Sequence, residues 1–260
     1  MASVVTRIED AAYGPVPARA GVAAGGEVAT RPVMAGEDRP LLMWAHTLAP
    51  GASLEWNGPA QDHLVYVWEG AVTADRQTLT VDEAFVVEHG GHGVIQAGET
   101  PATVLHFHRP EDHAAAAGRE GGHTHVLAGA RVMRGVEAKS AVGRALYADA
   151  ACPTCEVWLH GNQLPPGLKV ERHYHTEDEI IVVTAGEIKL GRLGYGRGSV
   201  LAVDAETRYG FTSGDPGLSF INYRPAPPVY VIGDDSRPPQ DERALLLRGL
   251  ARSQPAPVGA

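Results

Sequence analysis

The apolar positions of this chain fall in short runs cut by glycine and proline. From Leu41 the sequence reads LLMWAHTLAP, then GASLEWNG, then HLVYVWEG. Side chains of a strand face alternate sides, so short apolar runs between turn formers predict strands rather than helices. Further on, SVLAVDAETRYGFTS reads as strand, turn, strand. Ile180 to Val183 is apolar at both parities, which predicts a strand covered on both faces. A single helical turn is expected in the alanine run of EDHAAAAGREGG, and a helical stripe in the tail, where residues 241–252 read DERALLLRGLAR. Leu245, Leu246 and Leu250 share one face there, with acids at the start and arginine at the end. The 31 glycines and 19 prolines supply the punctuation that many tight turns need, so the pattern predicts an all-β protein.

The two halves of the chain keep step. An offset of 116 (167 minus 51) lays Pro50-Gly51 on Pro166-Gly167, Leu48 on Leu164, Leu64-Val65 on Ile180-Ile181, Asp62 on Asp178 and Gly70 on Gly186. Near the end of each half an offset of 115 lays His108-Arg109-Pro110 on Tyr223-Arg224-Pro225. This predicts a duplicated β-domain. The expected organisation is an arm over residues 1–35, a first barrel over 36–112 and a linker over 113–130. A second barrel over 131–232 and a tail over 233–260 complete it. Pro15, Pro17, Gly25, Gly26 and Pro32 interrupt the arm, so it is expected to drape over a domain or a partner subunit.

Charge narrows the partners. A net charge of -9 gives no long-range attraction to nucleic acid or anionic membrane, so neither is expected as a partner. No apolar run is long enough to cross a bilayer, and the opening MASVVTRIEDAAYG does not read as a secretory signal. The expectation is a soluble cytoplasmic protein. The two cysteines, Cys152 and Cys155, lie in CPTC. Zinc would need two further ligands and there is no second CxxC, nor a thioredoxin-like βαβ pattern, so two reduced cysteines are expected.

Candidate chemistry gathers between Gly167 and Gly186, in GLKVERHYHTEDEIIVVTAG. His173 and His175 are two apart, so on a strand both imidazoles face one side. A polar turn then brings Glu179 back beside them. Two neutral nitrogens and one carboxylate on a rigid sheet form an open site for Mn, Fe, Co, Ni or Zn. Histidine is also dense in the first half, where nine of the twelve lie at or before His125. His63, His92, His106 and His108 could build a non-standard site, or could simply line a pocket or the surface. His123 and His125 are read as linker.

The segment Gly167, His173, His175, Glu179, Gly186 resembles the first signature of the cupin superfamily, G-x5-H-x-H-x3-4-E-x6-G, at every named position. The resemblance implies two tandem cupin (jelly-roll-like) β-barrels, a bicupin, with His173, His175 and Glu179 as metal ligands. In the first half the histidine slots hold Asn57 and Pro59 and the glutamate slot holds His63, so that half departs from the metal pattern. The second cupin signature survives only at Gly198. Asp204, Glu206, Tyr209 and Ser213 take its proline, glycine, histidine and asparagine places. Tyr209 therefore stands where a further ligand is usual, as a phenolate ligand, an acid–base catalyst or a wall residue. His160, Asn222 and Tyr223 are read as pocket wall. The implied activity is that of a metal-dependent enzyme, a dioxygenase-type oxidoreductase acting on a small organic molecule. One divalent transition metal is implied per chain, Fe or Mn first and Zn, Ni or Co next. A metal-assisted isomerase or cyclase and a non-catalytic small-molecule-binding bicupin are the alternatives. A homodimer is expected.

Overall fold

The computed structural model describes residues 4–36, 38–113, 118–128, 131–134, 143–226, 229–233, 238–244 and 246. Extended backbone dominates them, as the short apolar runs require. The chain divides into two compact units. The first comprises Thr6–Ala130 together with Ala150–Val157. The second comprises Met1–Val5, Arg131–Asp149 and Trp158–Ala260.

Strand β1 (Val4–Arg7) pairs in the sheet of the second unit. The first unit then builds two antiparallel sheets from β2 (Val22–Gly25), β3 (Val28–Met34), β4 (Leu42–Leu48), β5 (Ser53–Asn57), β6 (His63–Glu69) and β7 (Ala71–Ala74). It continues with β8 (Gln77–Thr80), β9 (Ala84–Val87), β10 (His92–Ala97), β11 (Ala102–His108) and β12 (Thr124–Leu127). The sheet orders are β2-β5-β10-β7-β8 and β12-β9-β6-β11-β4-β3. Residues 22–34, expected in an arm, are thus strands: β2 pairs with β5 and β3 with β4. Between the sheets lies a core that includes Leu54, Trp56, Val65, Val67, Phe85, Ile95 and Val104, each at most 1% exposed.

The second unit is formed by β13 (Arg131–Arg134), β14 (Gly143–Ala148), β15 (Trp158–Leu164), β16 (Lys169–His175), β17 (Glu179–Leu190) and β18 (Leu193–Gly196). It ends with β19 (Ser199–Val203), β20 (Tyr209–Arg224), β21 (Val229–Ile232) and β22 (Gln240–Asp241). Its core holds Ile181, Val183, Ile188, Leu201, Phe211 and Phe220. Ile180 to Val183 are all 0% exposed, as the two-sided apolar pattern predicts. Residues 242–244 and 246 are helical. The rest of the expected tail helix, Leu250 included, and the alanine run lie outside the described residues.

Adding 116 to the bounds of β4 and β8 gives those of β15 and β18 residue for residue. The ladders agree: His106 pairs with Val65 and with Trp44, while Asn222 pairs with Ile181 and with His160. The offset is therefore 116 to the end of the halves (222 minus 106), and the 115 expected from the shared Arg-Pro pair is corrected. His108 corresponds to Arg224, not to Tyr223. A one-residue slip would turn every side chain of the strand to the wrong face, so ladder register overrides a dipeptide match. Gly70 and Gly186 are equivalent under this offset, with φ of 75° and 72°. A Cβ at either would run into a backbone carbonyl, of Pro101 or of Gly217, so only glycine fits.

Candidate metal centre and an arginine-filled pocket

In the second unit the register carries the predicted residues to one place. His173 pairs with Tyr209 across β16 and β20, and their ring centroids are 4.5 Å apart. Glu179 opens β17, beside β20, which ends in Asn222 and Arg224. A cavity of about 130 Å³ opens among His160, Asn162, His173, His175, Tyr209, Asn222, Arg224 and Glu242, with Leu164, Val170, Phe211 and Phe220 as its apolar wall.

Both predicted histidines have a fixed tautomer. The Nδ1–H of His173 donates to the Glu171 carbonyl at 2.8 Å, and that of His175 to the Val229 carbonyl at 3.0 Å. The Nε2 lone pairs are left for other partners, the arrangement usual in metal-ligating histidines. At His175 the partner is Arg224, whose Nη2 lies 2.9 Å from Nε2. The same Nη2 is 2.8 Å from Glu179 Oε2, and Arg224 Nε also donates to that oxygen at 3.2 Å. Arg224 Nη1 donates to Glu242 at 2.7 Å. A cation does stand between His175 and Glu179, and it is a guanidinium.

Electrostatics follow from this enclosure. Burial pushes the Glu179 carboxyl up, but Arg224, His175, Tyr209 and Asn222 outweigh it and hold it at about 2. Glu242 is likewise held far below the ordinary range by Arg224 against the effect of burial. Burial lowers His173, and it lowers His175 to about 4 with Arg224 adding to the effect, so both are neutral near pH 7. Burial and the Glu179 charge raise Tyr209, which stays a phenol that hydrogen-bonds Glu179. A phenolate at Tyr209 is not supported by these surroundings. One arginine against two carboxylates leaves the group one negative charge in excess, and Glu179 Oε1 and Asn222 Oδ1 are buried without hydrogen-bond partners among the described residues.

At the equivalent places of the first unit there is no arginine and no carboxylate pair. The offset of 116 carries Asn162, Glu179, Asn222 and Arg224 onto His46, His63, His106 and His108. All four histidines are at most 1% exposed. Thr30 Oγ1 lies 2.9 Å from His46 Nδ1, and His46 Nε2 3.2 Å from His106 Nδ1. His106 Nε2 is 2.7 Å from His63 Nδ1, which also receives the Trp56 indole N–H at 3.1 Å. His108 stacks on Trp44, with centroids 4.8 Å apart, and donates its Nδ1–H to the Arg109 carbonyl at 2.5 Å. Glu111 Oε1 is 3.5 Å from His63 Nε2. Burial holds His46, His63 and His108 at about 3 and lowers His106 well below the ordinary imidazole range, while it raises Glu111.

Among the described residues, two groups bring at least three donor atoms within 4.8 Å of one another. One is His63, His106 and His108; the other is Glu88, His125, Cys152 and Cys155. The set His173, His175, Glu179 is not among them. His92, weighed with the first group, instead sits on the surface and pairs with Glu55 at 3.0 Å. His46 and Glu111 escaped sequence reading. The signal for His46 was its two-residue spacing from Trp44 on one strand, and for Arg224 the uninterrupted offset of 116. Nothing in the sequence singled out Glu111.

No protein family and no curated protein matches this chain by sequence. Among solved structures it is similar to Lactobacillus farciminis oxalate decarboxylase in a formate complex. The TM-score is 0.65 at 13% identity, over 94% of this chain and 90% of that one. A deletion mutant of Bacillus subtilis oxalate decarboxylase gives a TM-score of 0.62 at 14% identity, over 85% of this chain and 76% of that one. An alanine mutant of the same Bacillus subtilis enzyme gives 0.62 at 14%, over 93% and 80%. At this identity the likeness establishes the fold, the cupin-like all-β architecture.

Proposed function

We propose that the chain is a bicupin and a metal-dependent enzyme acting on a small organic molecule, with a divalent ion held by His63, His106 and His108. The observation that carries this is the convergence of their donor atoms within 4.8 Å, where His108 Nε2 is buried with no hydrogen-bond partner among the described residues. Unpartnered buried polar atoms are costly, and a cation removes that cost.

The hydrogen-bond chain supports the same reading. His46 Nδ1–H can donate to Thr30, and His106 Nδ1–H to His46 Nε2. With those tautomers the lone pairs on His106 Nε2 and His63 Nδ1 face each other at 2.7 Å, an arrangement that a cation beside them would favour, whereas the opposite tautomers make the contact a hydrogen bond from His106 to His63. His108 adds its Nε2, because its Nδ1–H is spent on the Arg109 carbonyl. Burial keeps these rings neutral, the form that ligates. His46 orients His106 from behind, as outer partners of ligating histidines do. Glu111 stands at the edge of the cluster with its carboxyl raised by burial, suited to moving a proton at His63 Nε2.

An ion on three protein nitrogens supplies Lewis acidity and open positions for small molecules, which favours a dioxygenase-type oxidoreductase. The second unit serves as a ligand pocket in this proposal. Arg224 supplies its positive charge, and neutral His173 accepts a hydrogen bond at Nε2. Decarboxylation of a small carboxylic acid is the second reading, favoured by the oxalate decarboxylases among the structural neighbours. Elemental analysis of protein purified without chelator, beside His106→Ala/His108→Ala, tests the site. The expected result is a redox-active metal near one per chain that the double variant loses while its circular dichroism is kept. No such metal in the wild type would overturn the proposal. On a panel of small organic acids, oxygen uptake supports the first reading, and carbon dioxide release without net oxygen uptake supports the second.

A further inference from the structure

The CPTC segment lies, in sequence, inside the second half, yet Ala150–Val157 packs as part of the first unit. There it meets two side chains, Glu88 and His125, that the sequence did not connect with it. Glu88 follows β9, and His125 lies on β12, which pairs with β9 so that His125 stands opposite Val86. One donor atom from each of Glu88, His125, Cys152 and Cys155 falls within 4.8 Å of all the others.

We propose that Cys152, Cys155, His125 and Glu88 form a zinc site that pins the Ala150–Val157 segment to β9 and β12. Four ligands at about 2.0–2.3 Å from a tetrahedral ion stand roughly 3.3–3.8 Å apart, so the group needs only a modest contraction. Two soft thiolates with one imidazole select zinc over the harder ions that suit oxygen donors. Glu88 is 0% exposed and already aimed: the His123 amide donates to its Oε2 at 3.0 Å, and Thr154 Oγ1 to its Oε1 at 2.5 Å. Thr154 Oγ1 is also 3.3 Å from Cys152 Sγ. His125 Nε2 is 2.6 Å from Glu88 Oε1, and Arg119 donates to the Cys152 carbonyl at 2.5 Å, which fixes the CPTC turn. Both cysteines are free thiols, and Cys155 is 4% exposed. Binding replaces two S–H bonds with two S–Zn bonds and releases two protons to solvent.

The test is cobalt substitution of the full chain, followed by zinc competition. Thiolate-to-cobalt charge-transfer bands with tetrahedral visible bands are expected in the wild type, and zinc should abolish them. Cys152→Ser/Cys155→Ser should lack the charge-transfer bands, and Glu88→Gln should weaken zinc binding at least about tenfold. The wild type should also resist a thiol reagent until zinc is chelated. Cobalt on imidazoles alone gives no thiolate band, so the outcome is independent of the His63 centre. The proposal is overturned if the wild type shows no such bands, or if the double serine variant keeps them. Thiol labelling equally fast with and without zinc would overturn it too, as would a mass showing the thiols joined in a disulfide.

Discussion

Replacing Arg224 with methionine tests the claim that the second unit is built around an internal cation. The guanidinium is 1% exposed and bridges Glu179 and Glu242 at 2.8 and 2.7 Å. Methionine fills much of the space but leaves two buried carboxylates beside each other. Breaking a buried pair by removing one partner costs about 3–5 kcal/mol. Here two acids lose one partner, so the upper part of that range is expected at pH 7. The sign reverses with acid. In the wild type Glu179 titrates at about 2, below its value in the unfolded chain, so its stabilisation is full above the unfolded value and fades as pH falls toward 2. In the variant the orphaned carboxylates titrate above the unfolded value, so lowering the pH relieves them. Urea unfolding followed by tryptophan fluorescence, at pH 7 and near pH 4.5, should show the deficit shrinking by at least half. Adding Glu179→Gln to the variant should restore part of the loss. A deficit under about 1 kcal/mol at pH 7, or one that does not change with pH, would refute the reasoning.

The remaining expectations concern the first unit and the turns. With a chelator present, burial holds His46, His63 and His108 at about 3 when folded, below the unfolded value. The unfolded chain then binds more protons between those values, so stability should fall as pH drops through that window, by up to about 2 kcal/mol per imidazole at pH 5. Denaturant midpoints of the first unit between pH 7 and 5 measure it. Gly186→Ala should cost at least about 2 kcal/mol, since it combines a left-handed φ with a backbone clash, and Gly51→Ala only about 1 kcal/mol, because nothing lies within 4 Å there. Thermal melts of the pair compare the two.

Much of the architecture was legible because strands announce themselves by period, and a duplication announces itself by a constant offset. Gly70 and Gly186 were visible for a physical reason: both sit where a Cβ would strike a carbonyl. The residues 22–34 were misread as an arm because proline and glycine there look like breaks, although Pro32 is accommodated in β3, opposite Trp44. The site was legible only in part. The pair His173 and His175 follows from strand geometry alone, whereas Arg224 reaches them from a strand 49 positions away along the chain. Glu242 comes from beyond the last long strand. No local pattern encodes a contact of that range.

The equivalence of the two centres gives the divergence a physical form. At the same four scaffold positions, one unit holds Asn162, Glu179, Asn222 and Arg224, and the other holds His46, His63, His106 and His108. The first set carries its own cation, fixed covalently to β20. In the second, every ring is buried and kept neutral, so nothing in the set supplies positive charge. Under the proposed function, a mobile ion is the complement of such a set. That is why the unit that departs from the cupin metal signature, not the one that matches it, is the better place to look for metal. The converse exchange makes the argument testable at one position: Arg224→His should create an imidazole beside His173, His175 and Glu179. Added manganese or iron should then raise the melting temperature of this variant and leave that of Arg224→Met unmoved. Equal responses of the two variants would mean that the guanidinium does not stand in for an ion.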